Sequence, residues 1–181
     1  KKLPDLESKL NKALESGDIF SQQSAQELLP LVQQAKLLAK QYDAVIANPP
    51  YMGGKGMNTA LKDFAKKTFP DSKSDMFAMF IERCQALSKI SGETAFVTPY
   101  VWMFISSYEQ MRRKLVTDAT IQSLIQLEYN AFEPACIPVC AYTISKAHVK
   151  DYVGSYIKLS DFKGHENQAP KTLEAINNPN L

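Results

Sequence analysis

The sequence has no apolar run approaching the roughly 18 residues that a membrane-spanning helix needs. No charged, then apolar, then small-residue leader stands at its start. Glycine is scarce, seven in 181 residues. None of the seven sits in a strand, glycine-rich turn, helix setting ahead of residue 48; Gly54-x-Gly56 lacks the third glycine of a dinucleotide fingerprint. With two histidines and three cysteines, no Ser-His-Asp or Cys-His set assembles. Cys136 and Cys140 have the spacing of half a metal site, but His148 and His165 stand too far off for a familiar zinc pattern. Three is an odd number, and without a secretory signal the expectation is free, buried thiols in a reducing cytosol. Net charge is only +2, from 21 basic and 19 acidic residues, so any nucleic-acid surface must be a local patch.

What is present is an apolar fraction of 45%, sufficient for one good core, and a pattern that alternates helix with strand. Leu3, Leu6, Leu10, Ala13 and Leu14 recur at helical spacing over 3 to 16, with Pro4 in the first turn and Gly17 as the stop. Ser24-x-x-Glu27 reads as a capping box for a second helix, with Pro30 kinking or starting it. Ala44 to Ala47 is a short apolar strand without alternation, which suits a strand covered on both faces. Residues 52 to 74, rich in glycine and lysine, read as a long mobile loop with a short helix over Leu61 to Lys67. It is either a lid that touches phosphates or an ordinary solvated loop.

Asp75 can cap a helix to about Ile90, ended by Gly92, and Thr94 to Thr98 is the next strand, stopped by Pro99. That order makes a right-handed βαβ unit. Pro99 to Ile105, with Tyr100, Trp102 and Phe104, is either packing under a loop, the reading preferred here because tryptophan usually finds burial, or a stacking wall. A third sheet-packing helix is capped by Ser107-x-x-Gln110 and runs to about Val116. The strands 120 to 127 and 139 to 145 are joined by a link too short for a crossover helix, so they pair antiparallel, as a hairpin at the sheet edge. Residues 156 to 159 suit one more short strand, and residues 160 to 181 read as a polar linker.

The chemistry concentrates at Asn48-Pro49-Pro50-Tyr51, at the carboxyl end of the first strand, where parallel sheets carry function. Asn48 offers an amide oxygen as acceptor. Two prolines stiffen the turn, hold the preceding residues extended and leave carbonyls that no ladder uses. Tyr51 adds a flat face with a polar tip. Asn48 Oδ1 and the Pro49 carbonyl can grip the two hydrogens of one amine and turn its lone pair toward an electrophile.

This tetrad after an apolar strand resembles the catalytic motif of S-adenosylmethionine-dependent amino-methyltransferases, above all the N6-adenine DNA methyltransferases. The runs Tyr51-Met52-Gly53-Gly54-Lys55-Gly56-Met57-Asn58, Ser72-Lys73-Ser74-Asp75-Met76-Phe77-Ala78-Met79-Phe80-Ile81-Glu82 and Val101-Trp102-Met103-Phe104 are similar to the adenine-specific methyltransferases of bacterial BREX phage-defence systems, the PglX family. The resemblance implies an α/β fold. This chain would be the C-terminal half of a class I, Rossmann-like methyltransferase sheet, its parallel strands ending in an antiparallel hairpin, with N-terminal helices. It divides the chain into a helical lead-in (1–41), the catalytic half (42–159) and a linker or the start of a downstream domain (160–181).

The resemblance also implies catalytic roles for Asn48, Pro49, Pro50 and Tyr51, cofactor contact at Asn48, and S-adenosylmethionine as cofactor in a pocket this chain leaves incomplete. Base stacking would fall to Tyr51 and, from a late strand, Tyr142, with Phe132 the weaker match. The implied partners are double-stranded DNA with a flipped adenine, and defence-complex subunits, in the bacterial cytoplasm. The chain alone is expected to lack activity, and an open strand edge at Ala44 to Ala47 is expected to favour self-association. Two other readings stand beside this one: a glutamine N5-methyltransferase acting on a release factor, and a non-catalytic methyltransferase-like DNA-binding module.

Overall fold

The structure is a computed structural model that describes residues 2–129, 131–132 and 136–178. The chain divides into two compact units, Lys1–Gln41 and Tyr42–Leu181. The first is a helical pair, α1 (Leu3–Leu14) and α2 (Ile19–Ala39), closed on Leu10, Ala25 and Val32. The expected capping box does not start α2. Asp18 does, accepting from the Phe20 and Ser21 backbone N–H groups, which leaves Ser24 and Pro30 inside the helix. A carboxylate just past Gly17 satisfies the first orphan donors before Ser24 is reached.

The second unit is a five-stranded sheet in the order β1-β2-β4-β3-β5. The strands are β1 (Tyr42–Ala47), β2 (Ser88–Pro99), β3 (Thr120–Gln126), β4 (Val139–Ser145) and β5 (Ser155–Lys158). Between β1 and β2 lie α3 (Thr59–Thr68) and α4 (Met76–Leu87). Two 3₁₀ turns, Tyr100–Met103 and Ser106–Tyr108, lead into α5 (Glu109–Asp118), and α6 (His165–Asn177) follows β5. β1 pairs parallel with β2, as the βαβ reading requires. β4 pairs antiparallel with both β2 and β3, and β5 runs parallel to β3. Four strands therefore share one direction and β4 alone is reversed.

The antiparallel pairing of β3 with β4 is as expected; its place in the sheet is not. β4 inserts between β2 and β3, and β5 takes the outer edge beyond β3. The sequence pattern specifies pairing through turn length, whereas the slot β4 fills depends on contacts with β2 far away in sequence. β2 is also longer than expected. α4 stops at Leu87, and Gly92 lies within β2 instead of ending the helix. A Cβ at Gly92 would come within 2.9 Å of the Asp43 and Tyr42 carbonyl oxygens, so this close approach to β1 needs glycine. Residues 160–178 are not plain linker either, since α6 occupies most of them. Gln168 ties α6 into the fold: its side chain accepts from the Glu128 N–H and donates to the Phe162 and Gly164 carbonyls.

One face of the sheet is closed. Phe77, Ile81 and Cys84 of α4 and Met111 and Leu115 of α5 meet Phe96, Tyr142 and Ile144 of the sheet in a single core cluster. Gln85 Nε2 donates to Thr94 Oγ1, and Thr94 Oγ1 donates to the Ile144 carbonyl. These bonds tie α4, β2 and β4 together within that core. β1 is an edge strand paired on one side only, as the expected open edge requires, but it is not covered on both faces, since Ile46 is 82% exposed. Its unbroken apolar run is thus uncovered on one face.

Phe77 is 1% exposed and touches both Tyr51 and Tyr108. Phe77→Ala is expected to lower stability by about 3–5 kcal/mol, the usual range for a truncated core aromatic. A urea unfolding midpoint with unchanged slope would show it.

Candidate active site

Parallel β1 and β2 bring their carboxyl ends together, and the reversed β4 brings its amino end to the same place, with Pro99 opposite Val139 and Thr98 opposite Cys140. The tetrad leaves the sheet here. Asn48 and Pro50 are exposed and Pro49 is buried. Among the described residues, neither Asn48 Oδ1 nor the Pro49 carbonyl accepts a hydrogen bond. Proline has no N–H and ends the β1 ladder, so those acceptors are left without a ladder partner.

Tyr51 is 36% exposed. Its hydroxyl donates to the Val97 carbonyl at 3.2 Å, and its ring stands edge-on to Phe77 with centroids 6.2 Å apart. The ring is held at its tip and against Phe77 and stays partly accessible. Burial pushes the Tyr51 phenol above its usual range, so it stays a donor at neutral pH.

Behind the tetrad lies a neutral floor. Tyr142 is 3% exposed, packed against Phe96 and Trp102, with its hydroxyl 3.2 Å from Thr98 Oγ1. Burial raises its phenol well above the ordinary value. The structure therefore does not bring Tyr142 forward as a stacking face. Side chains alternate along a strand, and the register that pairs it with Phe96 points it into the core. Trp102 is 2% exposed, which supports the packing reading of that aromatic stretch, whereas Phe104 is exposed. Phe132 is exposed; Pro134, in the same link, lies outside the described residues. Cys84 and Cys140 are buried free thiols and Cys136 is exposed. Burial pushes the Cys140 thiol up to about 12, against lowering contributions from Thr98 and Trp102.

One residue's role was missed in the sequence reading. Asp75 was expected to cap α4, and it does, accepting from the Phe77 N–H at 3.2 Å. The same Oδ1 also accepts from the Met52 N–H at 2.9 Å. The Met76 N–H donates back to the Met52 carbonyl at 3.0 Å, and Gly53 forms an isolated bridge with Asp75. The residue after Tyr51 is thereby clipped to the first turn of α4. No local signal marks this bond, because its partners are 23 residues apart.

The segment from 52 to 74 is correspondingly not a long loose loop. α3 is capped by Asn58, whose side chain accepts from the Leu61 N–H. It closes a small core of Met57, Ala65 and Met79 with Met52, Leu61, Phe69 and Met76 around it. Asp71 near its far end is held by Lys114 of α5.

A sheet whose tip carries a rigid acceptor pair and a pinned tyrosine defines a class, and the solved structures agree on the fold. The chain superposes on a putative class I S-adenosylmethionine-dependent methyltransferase from Listeria monocytogenes with a TM-score of 0.55 and 21% identity, over 77% of this chain and 43% of that one. Its fold is that of the class I methyltransferases. The family model described as Eco57I restriction-modification methylase matches residues 1–132, and the chain belongs to that family. It is 44% identical over 167 residues to the adenine-specific methyltransferase BrxX of Escherichia coli O9:H4 (strain HS), covering 91% of this chain. It is 35% identical over 175 residues to the adenine-specific methyltransferase PglX of Lacticaseibacillus casei (strain Zhang), covering 92%. The chain spans only 14% of the length of each of these relatives.

Two outcomes test this geometry. Asp75→Ala removes one acceptor from two N–H groups and is expected to cost about 1–3 kcal/mol, while Asp75→Asn, which keeps an acceptor, recovers most of it; urea midpoints compare the three. The Cys140 thiol, raised from 9.0 to about 12, is protonated in the folded state where the unfolded chain has already lost its proton. Its contribution is complete below pH 9 and is lost as pH rises through about 12. Stability should therefore fall across that window, and less steeply in Cys140→Ala, in urea titrations at successive pH values.

Proposed function

We propose that this chain supplies the amine-holding half of a site-specific methyltransferase that acts on the N6 amine of adenine in DNA, within a phage-defence or restriction-modification system. The observation that carries the reading is an exposed Asn48 at the tip of β1, followed by Pro49, with both acceptors unengaged by any described residue. The adenine-specific methyltransferase names of the relatives support the choice of substrate.

An adenine within a duplex is out of reach, so it must be turned out of the helix to arrive here. Asn48 Oδ1 and the Pro49 carbonyl would accept the two amine hydrogens, which orients the nitrogen lone pair and relieves the positive charge that builds on the nitrogen. Tyr51, anchored through Val97 and Phe77, would lie against the base. The neutral floor of Thr98, Cys140 and Tyr142 carries no carboxylate, consistent with chemistry that relies on placement more than on a strong base.

The methyl donor would be S-adenosylmethionine, which these residues do not enclose by themselves. Residues 1–47 contain no glycine-rich turn, and two cavities formed by described residues, one between β5 and α6 and one between α4 and α5, lie away from the tetrad. Asn48 would contact the donor from this chain. The chain of residues 1–181 alone is accordingly inactive, and micromolar binding of S-adenosylmethionine to it in calorimetry would contradict this. The one-sided β1 edge also predisposes the isolated chain to self-association.

In the full-length protein, Asn48→Ala is expected to cut methyl transfer to duplex DNA by about 10²–10³-fold while DNA binding persists. Radiolabelled methyl transfer, with a release factor as the competing substrate, reads this out. Transfer to the release factor but not to DNA would favour the glutamine reading. DNA binding with no transfer in wild type would favour the non-catalytic module.

A further inference from the structure

The charge of this chain is concentrated in one place. Residues 52 to 74 contain five lysines and two aspartates, which leaves 16 basic and 17 acidic residues elsewhere. The segment thus holds more than the whole positive surplus. Lys55, Lys62, Lys66, Lys67 and Lys73 are all exposed, and none makes an ion pair or side-chain hydrogen bond with a described residue. Several basic groups elsewhere are taken up: Lys89 by Asp43, Arg113 by Glu109, Lys114 by Asp71, Lys171 by Glu174, and Arg112 by the Trp102 and Ile105 carbonyls. One of the two acids in the segment, Asp71, is already engaged by Lys114.

These lysines also stand on a fixed support. α3 packs through Ala65 and Leu61 onto Met57, Met76 and Met79. The excursion that carries α3 is closed at its two ends, next to Tyr51, by the bonds between Met52 and Asp75 and Met76. Lys62 and Lys66, four residues apart on α3, lie about 6 Å apart along the helix axis and on one face. A base swung out of a duplex stays tethered to its own strand, so backbone phosphates must pass close to whichever pocket receives it.

We infer that the lysine face of α3, led by Lys62 and Lys66 with Lys55, Lys67 and Lys73 beside it, holds the DNA backbone flanking the base that enters the tetrad. The inference rests on the functional reading above and adds to it the surface that bears the duplex. The contacts are to phosphate, so they set position and affinity and carry no base sequence. Because the segment is pinned at Met52 and Asp71, the lysines are presented with less ordering cost than in a free loop.

The test uses the full-length protein, a fluorescein-labelled duplex and anisotropy titrations at several KCl concentrations. Lys62→Gln/Lys66→Gln is compared with Lys158→Gln/Lys163→Gln, which removes the same charge near β5 and α6. Each lost phosphate contact lowers the slope of log affinity against log salt by about 0.9. The α3 pair is expected to lower it by about 1.8, equally on specific and unrelated duplexes, with an unchanged melting temperature; the β5–α6 pair is expected to leave it in place. An unchanged slope for the α3 pair, an equal drop for both pairs, or single-stranded RNA competing as well as duplex overturns the inference. Methylation of DNA by wild type in the same preparation separates that failure from failure of the functional reading. Wild type that neither binds nor methylates DNA sinks both.

Discussion

A single carboxylate organises the working end of this fold. Asp75 Oδ1 caps α4 through the Phe77 N–H and at the same time holds the Met52 N–H. The helix that builds the core and the turn that carries the tetrad are therefore fixed to one atom. Tyr51 sits one residue from this clip, and Phe77, two residues past the cap, supplies the ring against which Tyr51 rests. A buried aromatic, a helix terminus and an exposed amide end up in fixed relation without any residue of the tetrad being itself deeply packed apart from Pro49.

The sheet is asymmetric, and the asymmetry follows from which strands found partners. β2, β4 and β3 have strands on both sides and a face closed by α4 and α5. β1 has a partner on one side and a bare Ile46. The tetrad thus leaves a strand that is anchored by β2 and α4 yet open along its other edge. The floor under it is uniformly neutral, since burial keeps Cys140 and Tyr142 protonated.

Much of this was readable from local pattern. The βαβ order, the helix after Asp75 and the antiparallel partnership of β3 and β4 rest on period, caps and link length, which are local properties. The Asn-Pro-Pro-Tyr tetrad announced itself by the chemistry of its residues, and the resemblance read from it and the flanking runs agrees with the BrxX and PglX relatives. The misses share a cause. The slot taken by β4, the double duty of Asp75, the inward turn of Tyr142 and the cover that β1 lacks all depend on residues distant in sequence. Gln168, which makes α6 part of the unit, bonds Glu128 from 40 positions away.

The sequence by itself determined the order of helices and strands around the first two strands, that two prolines would stiffen the end of the first strand, and that Asn48 would be available as an acceptor; short-range sterics and hydrogen bonding suffice for these. Only the tertiary structure decided which aromatic faces outward, which slot β4 fills and which carboxylate secures the tetrad. Those outcomes depend on strand register and on packing between segments tens of residues apart, and a one-residue slip would reverse each of the faces concerned.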